Sequence, residues 1–534
     1  MVDYSRTRLL IVDDFTDFRS ALTGMLRQMG VVNIDAVATG EEALVLCRRN
    51  HYDVILHDYN LGKGKNGQQV LEELHHERLL PPHCVFVMIS AESSQAMVLA
   101  ALECEPDSYL TKPFNQASLQ QRLDRLIAMK TALRPLLEAE REKDYASMLA
   151  ACKQIIAAHP RYLPQCQRHL VNALAGLGKH QEQEQLLRRL INERPVPWAM
   201  VALADLYRET GRLAEAQTAY QDGISQFPMI PALYDGLAAT ALALGDPQQA
   251  QQQLQQGLRL SPNSLRRQQT MGALASRNED HEQASRAYRQ AVELGRNSRF
   301  RDPENHLQLV SSLQAHTGDE AFNPRHLVEI RQTLTEFDRT WRDDPVLAVR
   351  SRLTQAQVMD KTGHRAEAAR LSEQALAQLS DMPGFFSADA AMQVSKQLRS
   401  LGQAEQANEV LATCAEMYGD DPEVMAQLTS LTDKPEILTA GVEALELNRR
   451  GIELYQKKDY PQALDMFRRA LAAQPRNISY ALNTAQSLLR MLARQPSPEL
   501  EQECHDCLQR ASHMPANDRR RERYLKLIDR LEAL

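Results

Sequence analysis

Three aspartates, a serine and a lysine each stand directly behind a short apolar run in the first quarter of the chain. Asp13 and Asp14 follow the run Arg8–Val12, and Asp58 follows Asp53–His57. Ser90 follows Val85–Ile89, and Lys112 and Pro113 follow Ser108–Thr111. Singly, each residue has an ordinary reading: an aspartate starts a helix, a serine sits in a loop, a lysine faces water. Three carboxylates that share a rim with an ammonium and a hydroxyl suit other work. They can hold a hard, oxygen-seeking cation, and one can attack an electrophile that the cations neutralise.

What must position them is a sheet. A further run, Asn33–Val37, brings the candidate strands to five, and helical periodicity occupies Asp17–Met29, Glu41–Arg49, Gly67–Glu77, Ser94–Leu102 and Gln116–Met129. Strands and helices in strict alternation predict an α/β doubly wound parallel sheet covered on both faces. In such sheets ligands collect at the carboxyl ends of the strands, where these residues fall.

The segments LLIVDD (9–14), VILHDYNLG (54–62), VMISA (87–91) and YLTKPF (109–114) resemble the CheY-like receiver domains of two-component response regulators. The resemblance implies a five-stranded parallel sheet of order 2-1-3-4-5 over residues 6–130. It implies Asp58 as phosphoacceptor, Lys112 and Ser90 as its catalytic companions, and Tyr109 as a switch aromatic. Mg²⁺ is then the implied cofactor, with Asp14, Asp58 and the Asn60 backbone carbonyl as direct ligands and Asp13 acting through water. The residue types make chemical sense of this. Nucleophile and phosphoryl donor are both anionic, so positive charge from Mg²⁺ and Lys112 must offset their repulsion. Two departures stand out. Receivers usually carry a Gly-Ala pair shortly before the switch aromatic, whereas here Glu105–Pro106 precede it, and the loop NLGKGKNG after Asp58 is slightly long. Altered loop geometry is expected at the first of these.

Past Met129 only amphipathic helices follow. Ala216, Ala250 and Ala284 recur at a constant step of 34 residues, as do Tyr220, Leu254 and Tyr288, and Gly223, Gly257 and Ala291. Pro228 and Pro262 close the first two units. This period resembles the tetratricopeptide (TPR) repeat. The clearest repeats lie at 197–298 and 444–477, the latter with Gly451, Tyr455, Ala463, Phe467, Ala470 and Pro475. The expectation is a multidomain chain whose residues 131–534 form an all-α superhelical solenoid. Small residues would let helices approach, aromatics would fill the space between units, and Gly211, Gly245 and Gly363 would turn the chain. A concave groove of this kind takes a protein or peptide. A carboxylate clamp would need repeated basic and amide residues; Asn448, Arg449 and Asn483 are too sparse for one.

Composition agrees with a soluble chain: of 534 residues, 43% are apolar and 25% charged, with a formal net charge of −7. That charge gives no basic field for nucleic acid, and no apolar stretch is long enough for membrane insertion. Eight scattered cysteines suit a reducing, cytoplasmic setting, and the resemblance to two-component regulators implies a bacterial one. Cys504 and Cys507 have no second ligand pair at zinc spacing and read as small helix residues. The function expected is a response regulator, phosphorylated by a histidine kinase or phosphotransfer protein and acting through an unidentified partner in the repeat groove. A homodimer through the receiver stays open. The alternatives are a feedback regulator of a sensor kinase, an inert adaptor, and, less favoured, a DNA-binding regulator. No enzyme is expected beyond phosphoryl acceptance and slow autodephosphorylation.

Overall fold

The computed structural model describes residues 3–91, 99, 103–315, 323–380, 387–434, 438, 442–512, 514 and 518–533. Two compact units make up the chain, Met1–His316 and Thr317–Leu534.

The first unit opens with β1 (Arg8–Val12), β2 (Asn33–Val37), β3 (Val54–Asp58), β4 (Val85–Ser90) and β5 (Ser108–Thr111), all paired in parallel in the order β2-β1-β3-β4-β5. Leu9 to Val12 and Val54 to Leu56 are almost wholly buried, as strands with both faces covered must be. One face is covered by α1 (Thr16–Gln28) through Leu22 and Leu26, together with α4 (Gln116–Arg141) through Leu119 and Leu123. The other is covered by α2 (Gly40–Arg49) and α3 (Gly67–His76) through Leu44, Val70 and Leu71. Capping boxes start both of those helices, Thr39 with Glu42 and Asn66 with Gln69. The helix expected over Ser94–Leu102 lies, apart from Leu99, outside the described residues.

Several boundaries differ by one residue from the sequence reading, and one differs by more. β3 and β4 each extend one residue further and take in Asp58 and Ser90. More consequentially, α4 does not stop at Met129 but runs to Arg141, with Pro135 inside it. Leu133 and Leu136 pack on Met148 and Cys152 of the next helix, Tyr145–Ala158. Burial of that stripe outweighs the local cost of a proline. The last helix over the sheet is therefore also the first helix of the repeat array.

Helical hairpins follow, and those at Pro197–Glu209 with Leu213–Gln226, Pro231–Ala243 with Pro247–Leu260, and Leu265–Arg277 with His281–Gly295 carry the 34-residue period. Ala216, Ala250 and Ala284 are fully buried. Gly211 and Gly245 turn the chain at φ +77° and +85°, where a side chain is disfavoured. Tyr220 is fully buried and lies on Gly236 of the next hairpin; a Cβ there would come within 2.2 Å of the ring.

In the second unit the hairpin Val442–Gln456 with Tyr460–Ala473 repeats the device, with Phe467 packed on Gly451. Cys504 and Cys507 are buried in the core of Pro498–Ser512. A short helix at Pro422–Leu431 adds to the units seen in the sequence. Asn483 donates to Asn448 Oδ1 at 2.7 Å and accepts from Arg523 at 2.8 Å, so these amides form an internal ladder, while Arg449 stays exposed. Near the terminus Arg520 turns inward to Asp518 at 2.8 Å and lies over the Tyr418 ring. Among the described residues no helix is long and apolar enough to cross a membrane.

Candidate functional site

The parallel register brings the ends of β1, β3, β4 and β5 to one rim. Carboxylate oxygens of Asp13, Asp14 and Asp58 lie within 4.8 Å of one another; Asp13 and Asp58 are buried and Asp14 is exposed. Lys112 Nζ reaches between them, 2.7 Å from Asp13 Oδ2 and 3.3 Å from Asp58 Oδ1. The lysine is held from behind by the Phe18 ring, 4.1 Å from its ammonium, and Phe18 meets Phe114 edge-on. The peptide bond Lys112–Pro113 is cis.

Backbone bonds fix the remaining candidates. Lys112 N–H donates to the Ser90 carbonyl at 2.8 Å, which joins the ends of β4 and β5 and places buried Ser90 on the rim. Tyr109 pairs with Met88 in the sheet and is half-buried against the core that includes Phe86 and Met88. Asn60 lies two residues beyond β3, and its side chain accepts from Gly62 N–H at 3.1 Å, shaping the start of the loop. All the residues singled out in the sequence thus fall on or beside one sheet edge.

Charge at the rim is poised by burial. Burial pushes the Asp58 carboxyl up to about 6, the charges of Asp13 and Asp14 push the same way, and Lys112 opposes them. An all-oxygen set of mixed burial, with a surplus of negative charge, fits a hard divalent cation such as Mg²⁺.

Some contributors carried no sequence signal. His57 is fully buried, and its Nδ1 lies 2.6 Å from the Asp58 carbonyl, which can only accept, so that nitrogen carries the proton. Burial holds this imidazole down at about 4, neutral at physiological pH. Arg19 donates to the Asp13 carbonyl at 2.5 Å. Burial and the local fold of the backbone create these contacts, and residue spacing states neither.

A pH-dependent stability follows. The Asp58 carboxyl titrates higher in the folded protein than the ordinary value of 3.8. Its contribution is therefore fully present below about pH 4 and is lost as pH rises through about 6. Without divalent cation, Asp58→Asn should stabilise the sheet domain by about 1–3 kcal/mol at pH 8 and by nearly nothing at pH 4. Urea unfolding read by hydrogen exchange in β3 measures it; a loss of stability at pH 8 would contradict the assignment.

Comparison with known proteins gives matches to two families. Residues 9–124 match the family described as response regulator receiver domain, and residues 199–228 match the tetratricopeptide repeat. Chemotaxis protein CheY-3 of Vibrio cholerae serotype O1 is 29% identical over 119 residues, 22% of this chain and 90% of that protein. Chemotaxis protein CheY of Pseudomonas aeruginosa is 26% identical over 119 residues, 22% of this chain and 94% of that protein. Among solved structures, the receiver domain of the Francisella response regulator 1452 is 26% identical, with TM-score 0.21, over 23% of this chain and 98% of that one. The Thermotoga maritima response regulator protein TrrA, in complex with Mg²⁺–BeF, is 28% identical with TM-score 0.20, over 22% of this chain and 98% of that one.

Proposed function

From the premise that this chain carries a response regulator receiver domain followed by tetratricopeptide repeats, we propose that phosphorylation of Asp58 switches protein binding by the repeats. The donor is a histidine kinase or a phosphotransfer protein, and the chain is a cytoplasmic response regulator of a phosphorelay. The observation that carries this reading is the buried Asp58 carboxylate between Asp13, Asp14 and the Lys112 ammonium.

Asp58 supplies the nucleophilic oxygen. As its bond to phosphorus forms, the bond to the donor imidazole breaks, and the imidazole leaves with the electron pair and takes up a proton. Lys112 and the Ser90 hydroxyl hold the oxygens of the transferred group, an ammonium and a neutral donor against an anion. Asp13, Asp14, Asp58 and the Asn60 carbonyl would hold Mg²⁺, which when bound offsets the repulsion between two anions. Water later attacks phosphorus, the bond to the Asp58 oxygen breaks, and inorganic phosphate leaves the free carboxylate behind. Tyr109 transmits the altered charge to the surface.

The test uses the full chain immobilised with and without Mg²⁺ and beryllofluoride. The reading requires a set of captured proteins that changes between the two states and no longer changes in Asp58→Asn. An identical set in all conditions would refute the switch.

A further inference from the structure

Two stretches of the receiver beside the rim are tied to the repeat array: the loop that follows β3 and the residues that precede β5. After β3 the chain runs to Gly64 and Lys65. Asn297, just past the helix His281–Gly295, donates from Nδ2 to the Gly64 carbonyl at 2.9 Å, and its own carbonyl accepts from Lys65 Nζ at 2.7 Å. The tie continues along α3: Gln69 donates to the Leu294 carbonyl at 3.1 Å, and Glu77 pairs with Arg299 at 2.9 Å.

Ahead of β5 stand Glu103 and Glu105. Glu103 divides its carboxylate between Arg267 at 2.8 Å and the Ser261 hydroxyl at 3.0 Å. Arg267 is itself buried and gripped by Asp235, so its position is set before Glu103 meets it. Glu105 pairs with Arg168 of the helix Leu163–Gly176. It does so from the left-handed region, φ +53°, which a side-chain-bearing residue adopts only against a cost. This is the position where the sequence departs from the usual small pair. The departure thus coincides with a contact to the array.

Resting on the proposed phosphorylation of Asp58, we infer that these two ties are the surface through which the array senses it. The array takes the receiver's α3 side and the approach to β5 as its partner in cis. The physical case is mechanical and thermodynamic. A phosphoryl group on Asp58, clamped by Lys112 just past β5, pulls on the loop after β3 and on the strand β5. Their outer ends are held by Asn297, Arg267 and Arg168, so the inward pull strains those outer bonds. The contacts are polar and exposed or part-buried, each worth little alone, which suits a surface meant to part. Linkage then requires reciprocity: whatever factor phosphorylation takes from the ties, loosening the ties returns to the phosphorylated state.

The experiment is a titration of the full chain with beryllofluoride in Mg²⁺, read by fluorine NMR and by hydrogen exchange. The variant pairs Asn297→Ala with Glu103→Gln, two surface changes that leave the Arg267–Asp235 pair in place. Beryllofluoride should bind this variant about three- to tenfold more tightly, and in the wild type it should speed exchange at residues 294–300 by a similar factor. Equal affinity in both proteins, with residues 294–300 indifferent to beryllofluoride that is demonstrably bound, would overturn the coupling and leave the phosphorylation reading intact. If neither protein binds beryllofluoride while both keep their wild-type exchange pattern, both readings fall.

Discussion

Asp58→Asn is expected to lower phosphoryl incorporation from a small-molecule donor in Mg²⁺ by about a thousandfold or more, because a carboxamide is a poor nucleophile for phosphorus. The substitution preserves shape and removes one negative charge from a crowded rim, so the fold should survive; the buried, raised carboxyl argues that it gains stability above pH 6. Asp13 and Asp14 remain, with oxygens in reach of the same place. The variant therefore also asks whether proximity alone makes a phosphoacceptor. Asp13 is engaged twice, by Lys112 and by the Phe15 N–H at 2.9 Å, and Asp14 is exposed, so neither should substitute efficiently. Intact mass followed by peptide mapping of the label gives the answer. Undiminished labelling elsewhere in the chain would remove Asp58 from its role.

The second large effect lies in the array. Tyr220 is fully buried against Gly236, and its hydroxyl donates to Asp205 at 2.6 Å. Tyr220→Ala should cost about 3–5 kcal/mol, the transfer and cavity terms of a large aromatic whose surroundings relax only in part. Tyr220→Phe keeps the ring and loses the hydrogen bond, and should cost about 1–2 kcal/mol. In a linear array such a loss acts on one interface between neighbours. Exchange should therefore rise first in 197–243, and the β-sheet amides should stay protected. Denaturant unfolding with exchange readout by segment tests both points. A loss of protection spread evenly over the chain would show that the first unit unfolds as one body.

The candidate site was legible because its chemistry sits at strand ends. Apolar runs flanked by Asp13–Asp14, Asp58, Ser90 and Lys112 carry both the strand signal and the candidate site residues in one short window. The array was legible because Ala216, Ala250 and Ala284 face the same steric demand once per repeat, so the same small residue recurs. Local periodicity and residue size are properties of the chain itself. They therefore determined the sheet class, the identity of the repeat and the acidic rim.

Tertiary structure decided what no window contains. The continuation of α4 to Arg141 depends on Leu133 and Leu136 finding Met148 and Cys152, a packing gain that overrides the break signalled by Pro135. The inward turn of Arg520 depends on Asp518 and the Tyr418 ring, and the neutrality of His57 depends on burial in the sheet core. Glu103 finds Arg267 across 164 positions, and Asn297 finds Gly64 across 233. A sequence states which residues can pair, but only the folded chain brings groups that far apart within hydrogen-bonding range and removes the water that would otherwise satisfy them.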